Sequence, residues 1–196
     1  MGDRDKPKLG PGGLVLVVGP SGAGKDTLIA AARARLDPAA FVFPRRQITR
    51  PRDPDHEDHE EITEEEFERR VALGQHCLAW HAHGFGYIVP ETVEDDIRAG
   101  RVVVVNVSRG VVTEAQARFA HVFPVLVTAS TPVLAKRLAG RGRETAAAIA
   151  ARLERAPHDA LPFEPFQTVV NDGGLDDAVT AFLTALRDAA AVVHAG

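Results

Sequence analysis

The chain has 196 residues, 45% of them apolar and 26% charged, the balance of a globular protein rather than a disordered one. A formal net charge of −4 gives no general basic field, which argues against nucleic acid or an anionic membrane as partner. Its single cysteine, Cys77, allows no internal disulfide and fits a reducing cytoplasm.

In chain order, residues 1–12 are polar and rich in Gly and Pro, and read as a flexible tail without the apolar core of a signal peptide. "LVLVV" (14–18) predicts a strand, "GPSGAGKDT" (19–27) a phosphate-binding turn, and 27–36 a helix. Residues 41–49 are a weaker strand candidate. Helices are expected at 64–73, 91–99, 112–119, 132–139, 144–156 and 176–190. Further strands are expected at 101–107, 122–129 and 168–172. Thr63 with Glu66 reads as a capping box, and Thr131-Pro132 as a cap followed by a first-turn proline. Apolar runs such as "VVVVNV" fall far short of the ~20 residues that cross a bilayer.

Short, continuously apolar strands alternating with helices imply a doubly wound α/β fold around a mainly parallel sheet, with ligands at the carboxyl ends of the strands. Two stretches break the alternation and read as insertions in one kinase-sized unit spanning 13–190. One, at about 45–90, is polar, acidic and His-rich; the other, at about 136–156, is arginine-rich helix.

The turn carries the first chemistry. Gly19, Gly22 and Gly24, with Pro20, Ser21 and Ala23 between them, let backbone N–H groups approach phosphate oxygens. Lys25 adds a point charge for the β and γ phosphates, and the next helix offers its positive end to the same anion. The spacing is G-x-x-x-x-G-K-[ST], but Asp26 fills the hydroxyl slot and Thr27 follows it. A glycine-rich turn without a ligand is the bland alternative.

Arg50 and Arg52 precede a run with nine acidic residues between Asp53 and Glu66, and Arg forks suit a second, phosphate-bearing substrate. His56 and His59, and further on His81 and His83, stand as metal-ligand candidates or as surface histidines. "HCLAWHAHGFGY" (76–87) reads as a loop over the acceptor pocket, with Trp80 as packing. Arg137, Arg141, Arg143, Arg152 and Arg155 crowd 136–156. Arginines there can close on a transferring phosphoryl group, with surface solubility the alternative for Arg155.

"GPSGAGK", "TRPR", "RLAGRGRE", "IAARL" and "VND" stand in the order and at the intervals of the guanylate-kinase-like P-loop kinases, and the chain resembles that family over 13–190. It departs where guanine is handled. "EDHEEI" puts His59 near the slot of a phosphate-binding Tyr, and "CLAW" brings Leu78 and Ala79 where a carboxylate would read the base. A pocket without that acceptor leaves guanine's donors unpaired.

The elements G-K-D-T, Glu57-Asp58-His59, Trp80-His81-Ala82, Asn106-Val107-Ser108-Arg109 and R-G-R-E from Arg141 are similar to those of ribose 1,5-bisphosphate phosphokinases of phosphonate breakdown. That resemblance implies a P-loop fold with a five-stranded sheet, an acceptor-binding insertion and a lid. It also implies ATP and Mg²⁺ as cofactors and a sugar bisphosphate as acceptor, converted to phosphoribosyl pyrophosphate.

Site residues follow on the same terms. Lys25, Arg141 and Arg152 are catalytic, and Gly19 to Thr27 with Arg137 and Asn171 hold ATP. Arg50, Arg52, His59, His81, Tyr87, Ser108 and Arg109 hold the acceptor, while Asp26 and Thr27 serve Mg²⁺. Guanylate kinase activity and a non-catalytic binding module are the competing expectations. No oligomeric state is read from the sequence.

Overall fold

The computed structural model of the chain describes residues 7–51, 58–140 and 162–195. Its main sheet is built from β1 (Leu9–Val18), β2 (Phe41–Val42), β7 (Val102–Asn106), β8 (Phe119–Thr128) and β9 (Gln167–Val170). All pairings in it are parallel, in the order β2-β7-β1-β8-β9. This is the expected doubly wound, five-stranded sheet.

The apolar runs that predicted the strands are continuous because both faces are covered. Successive side chains of a strand point to opposite faces. Val15 and Val17 of β1 join Leu28 and Ala32 of α1 (Lys25–Arg33) and Phe182 and Leu186 of α6 (Leu175–Ala195). Leu14, Leu16 and Val18 face the other way. They meet Val93 and Ile97 of α3 (Val93–Arg98), Val112 and Ala115 of α4 (Val112–Arg118), and Phe119. Fully burying each Val, Leu, Ile or Phe side chain among them is worth about 1.5–3 kcal/mol. By length and composition α6 could cross a membrane, but half of that stretch is buried inside the fold, including Val179, Phe182, Leu186 and Val193.

A second sheet lies in the polar insertion, in the order β4-β3-β6-β5. It comprises β3 (Gln47–Ile48), β4 (Glu60–Glu61), β5 (Leu78–Ala82) and β6 (Phe85–Val89). The helix α2 (Glu64–Ala72) runs between β4 and β5, and Phe67 of α2 is buried against Gly86 of β6.

The structure differs from expectation in five places. β1 starts at Leu9, opposite Phe119 of β8, so residues 9–12 belong to the sheet rather than to a tail. The candidate strand 41–49 divides around Pro44 into β2 and β3, which serve different sheets. Proline supplies no N–H for a ladder. Residues 78–89 form a β-hairpin rather than a loop, turning at His83 and Gly84 with φ of 54° and 80°. Positive φ at both turn residues is the pattern of a type I′ turn. Since His83 is in the turn, it does not share a strand face with His81.

At α2, Thr63 Oγ1 accepts from Glu66 N–H, but the Glu66 carboxylate engages Arg69 and Arg70, so half the capping box is made. At α5 (Thr131–Ala139) the cap position is Ser130, whose backbone N–H donates to the Asp172 carboxylate. The expected helix at 144–156 lies outside the described residues.

Candidate active site

Parallel strands bring their carboxyl ends to one edge of the sheet. Here that edge gathers the 19–27 turn after β1, Asn106 at the end of β7 with Val107 to Arg109 beyond it, and Asn171 after β9. The chain lays β2 and β7 on one side of β1 and β8 and β9 on the other. The crevice at the carboxyl ends of such a reversal is where open parallel sheets bind ligands.

The turn is held rigidly from both flanks. At Gly19, φ is 147° and an added Cβ would overlap Val127 O of β8, so only glycine fits. Asn171, buried at 3% exposure, donates from Nδ2 to Ala23 O at 2.8 Å. Arg137 of α5 reaches Gly22 O and Asn171 Oδ1, each at 3.4 Å. Arg137 and Asn171, expected on the ATP side, therefore brace the loop's backbone.

Helix α1 opens at Lys25, and the first N–H groups of a helix have no carbonyl partner within it. They form an anion site with the dipole behind them. Lys25 Nζ donates to Gly19 O at 2.9 Å and to Pro20 O at 3.0 Å, which lays its ammonium along the turn. Asp26 and Thr27 are exposed in the first turn of α1. Asn106 Nδ2 donates to Asp26 Oδ1 at 2.9 Å.

On the acceptor side, Arg50 is half-buried after β3, and Ser108 and Arg109 are half-buried where β7 enters a 3-10 turn (Arg109–Val111). Among the described residues no hydrogen bond or ion pair holds the Arg50 or Arg109 guanidinium. His59 is buried at 1% exposure, and its Nε2 lies 3.0 Å from Arg50 O. A carbonyl only accepts, so Nε2 donates, and His59 fixes the backbone that carries Arg50.

Tyr87 is buried, with its ring parallel to Trp80 at 5.3 Å between centroids. His81 follows Trp80 on β5. It is exposed, 3.1 Å from Glu64 Oε1, and edge-on to Phe67 at 4.5 Å. The pairing with His81, together with a bond from Thr49, holds the Glu64 carboxyl below the usual carboxylate range. Arg52, Arg141 and Arg152 lie outside the described residues.

Two residues enter that sequence reasoning left without a role. Arg46, 7% exposed, donates from Nη1 to Asn106 O at 2.8 Å. Its guanidinium carbon lies 5.3 Å from the Tyr87 ring centroid and 5.9 Å from that of Trp80, within cation–π range. Asn106 was visible in its four-residue motif, directly at the end of a predicted strand. Nothing in the sequence separates Arg46 from exposed Arg45, which pairs with Asp58 at 2.8 Å.

Burial pushes the Cys77 thiol up to about 12, so it supplies no thiolate at neutral pH. Among the described residues no three His, Cys, Asp or Glu side chains gather to cage a metal. An exposed carboxylate next to a hydroxyl at the phosphate turn instead suits Mg²⁺, which keeps waters and takes its remaining ligands from substrate phosphates.

The guanylate kinase family profile matches residues 12–189. A ribose 1,5-bisphosphate phosphokinase PhnN of Acidiphilium cryptum is 53% identical over 173 residues, covering 88% of this chain and 91% of its own. A protein of the same name from Chelativorans sp. is 45% identical over 182 residues, covering 92% and 87%. Among solved structures, guanylate kinase from Anaplasma phagocytophilum superposes with a TM-score of 0.58 at 18% identity, over 93% of this chain and 87% of that one. That likeness speaks to the fold.

Proposed function

The chain belongs to the guanylate kinase family, and we propose that within it the protein transfers the γ-phosphoryl group of ATP to ribose 1,5-bisphosphate. The observation carrying this reading is the 53% identity, over nearly the full length of both chains, to a protein bearing that name. The site chemistry agrees with it. Leu78 and Ala79 open β5 where a guanine-reading carboxylate would stand, and Leu78 is fully buried.

An oxygen of the acceptor's 1-phosphate attacks the γ phosphorus. The bond from that phosphorus to the β–γ bridging oxygen breaks, and ADP leaves with the electron pair. The product is 5-phosphoribosyl 1-pyrophosphate. The attacking oxygen is already anionic near neutral pH, so no general base is required. Catalysis is then positioning and charge stabilisation.

The turn at 19–27 and the start of α1 hold the triphosphate, and Lys25 neutralises its β and γ oxygens. Arg50 and Arg109 bind the sugar phosphates, with His59 fixing Arg50 and with Ser108 adjacent. Tyr87 supports Arg46 beneath this surface. Arg141 and Arg152, assigned from the sequence, neutralise the phosphoryl group in flight, and Arg52 joins the acceptor side on the same basis. Mg²⁺ bound with ATP supplies further neutralisation, and Asp26 and Thr27 would hold it or its waters. A lone, buried cysteine agrees with work in a reducing cytoplasm.

The test is phosphorus NMR of the purified protein with ATP and ribose 1,5-bisphosphate, beside a coupled assay with GMP. New pyrophosphate resonances on the sugar are expected. Rapid turnover of GMP with none of the bisphosphate would sink the reading.

A further inference from the structure

Asp26 is fixed in place by a chain of contacts that crosses from one sheet to the other. Asn106 Nδ2 donates to Asp26 Oδ1 at 2.9 Å, across eighty positions of sequence. The backbone behind Asn106 is pinned in turn. Val107 N–H donates to Val17 O of β1 at 3.0 Å, and the Asn106 carbonyl receives Arg46 Nη1 at 2.8 Å. Arg46 immediately precedes β3 and is itself fixed by burial and by the stacked Trp80 and Tyr87 rings, 3° from parallel. The exposed carboxylate thus hangs on a rigid support that begins in the acceptor-side sheet.

We propose that Asn106 is a positioning residue, which sets the Asp26 carboxylate for the cation that accompanies ATP, and that Arg46 anchors it. The inference rests on the reading that Asp26 acts through Mg²⁺. A primary amide suits the task better than its alternatives. It donates to one carboxylate oxygen without adding charge, so Asp26 keeps its full negative charge for the cation. A lysine or arginine there would neutralise Asp26, and a second carboxylate would repel it. Without the amide, a carboxylate with free rotamers beside a triphosphate costs entropy to place and repels the anion until it is placed.

The test is calorimetric titration of the purified full chain with ATP, in Mg²⁺ and separately in EDTA. Wild type, Asn106→Ala, Asp26→Asn and the double variant are compared, with melting curves taken alongside. Asn106→Ala is expected to weaken ATP binding about 10-fold in Mg²⁺, the scale of one hydrogen bond to a charged group. Binding in EDTA is expected to stay within about 2-fold. The double variant is expected to bind no more weakly than Asp26→Asn alone, because the two residues act in series.

Equal loss in Mg²⁺ and EDTA would make Asn106 a mere staple between strands and overturn the proposal. So would additive losses in the double variant, or wild-type affinity in Asn106→Ala. Asp26→Asn judges the underlying reading separately. If that variant keeps the wild-type contrast between Mg²⁺ and EDTA, Asp26 has no role toward the cation, whatever Asn106 does. Should Asn106→Ala melt below the assay temperature, Asn106→Ser carries the same expectations, since serine is too short to reach Asp26.

Discussion

The buried amide of Asn171 donates to the carbonyl of Ala23 at 2.8 Å, so the end of β9 determines the shape of a turn that follows β1. The same Nδ2 lies 2.5 Å from where a Cβ on Gly24 would stand, which shows how tightly the two elements fit. Asn171→Ala leaves the Ala23 carbonyl without its partner, a loss of about 1–3 kcal/mol. In a chain of this size that lowers the melting temperature by roughly 2–4 °C per kcal/mol. Thermal denaturation and ATP titration should fall together. Asn171→Asp, which sets a carboxylate against the carbonyl, is expected to be worse than alanine.

Gly19→Ala tests the turn from its other flank. The residue has φ of 147° and no room for a Cβ against Val127 O. Backbone on two strands must shift, at roughly 1–3 kcal/mol for the dihedral alone. ATP binding should be lost in a protein whose far-UV dichroism still shows the α/β fold. Retention of wild-type ATP affinity would mean that the turn is not the phosphate site.

Lys25→Met should separate chemistry from folding. The ammonium bonds backbone carbonyls of its own turn, Gly19 O and Pro20 O, and the side chain belongs to neither apolar core, so its removal leaves the core intact. Losing a charge aimed at the β and γ phosphates should lower kcat by about 100- to 1000-fold. The melting temperature should move little. Steady-state kinetics and a melting curve on the same preparation check both halves.

The parts of this architecture legible in the sequence are those set by local pattern. Buried parallel strands announce themselves as unbroken β-branched runs, because both of their faces are covered, and the glycine spacing of the turn requires a positive φ that few residues supply. The second sheet was not legible. Its strands β3 and β4 have two residues each, too short for any period, and they exist through pairing with β6 and with each other. The same limit hid Arg46. Its burial depends on Trp80 and Tyr87 from a hairpin more than thirty positions away, whereas its neighbour Arg45 has the same local pattern and lies exposed. His59 shows the converse. Its place in the site could be inferred from position, but its use as a donor to the Arg50 carbonyl required coordinates.

Glu66 gives a pH prediction whose sign follows from its partners. Hydrogen bonds from Arg69 and then Arg70 hold its carboxyl down to about 2, against an ordinary 4.5. A depressed acid stabilises the fold above its unfolded value and loses that contribution as pH falls toward its folded one. Glu66→Gln should therefore be less stable than wild type at pH 7. The gap should narrow below about pH 4.5 and vanish near pH 2. Because the carboxylate is only half-buried, added salt should shrink the gap at neutral pH. Urea denaturation across this pH range, at two salt concentrations, decides it.

Arg50 and Arg109 carry the acceptor side of the proposal and should fail differently from Lys25. Both residues are half-buried and their guanidinium groups have no partner among the described residues, so they are available to a phosphate. Arg50→Gln and Arg109→Gln should raise KM for ribose 1,5-bisphosphate by about 10- to 100-fold, the worth of a charge-assisted hydrogen bond. KM for ATP should stay near wild type. His59→Ala releases the Arg50 carbonyl that Nε2 holds at 3.0 Å, and should raise the acceptor KM in the same direction but by less. A rise in the ATP KM instead, with the acceptor KM unmoved, would place these arginines on the donor side and reverse the polarity assigned to the crevice.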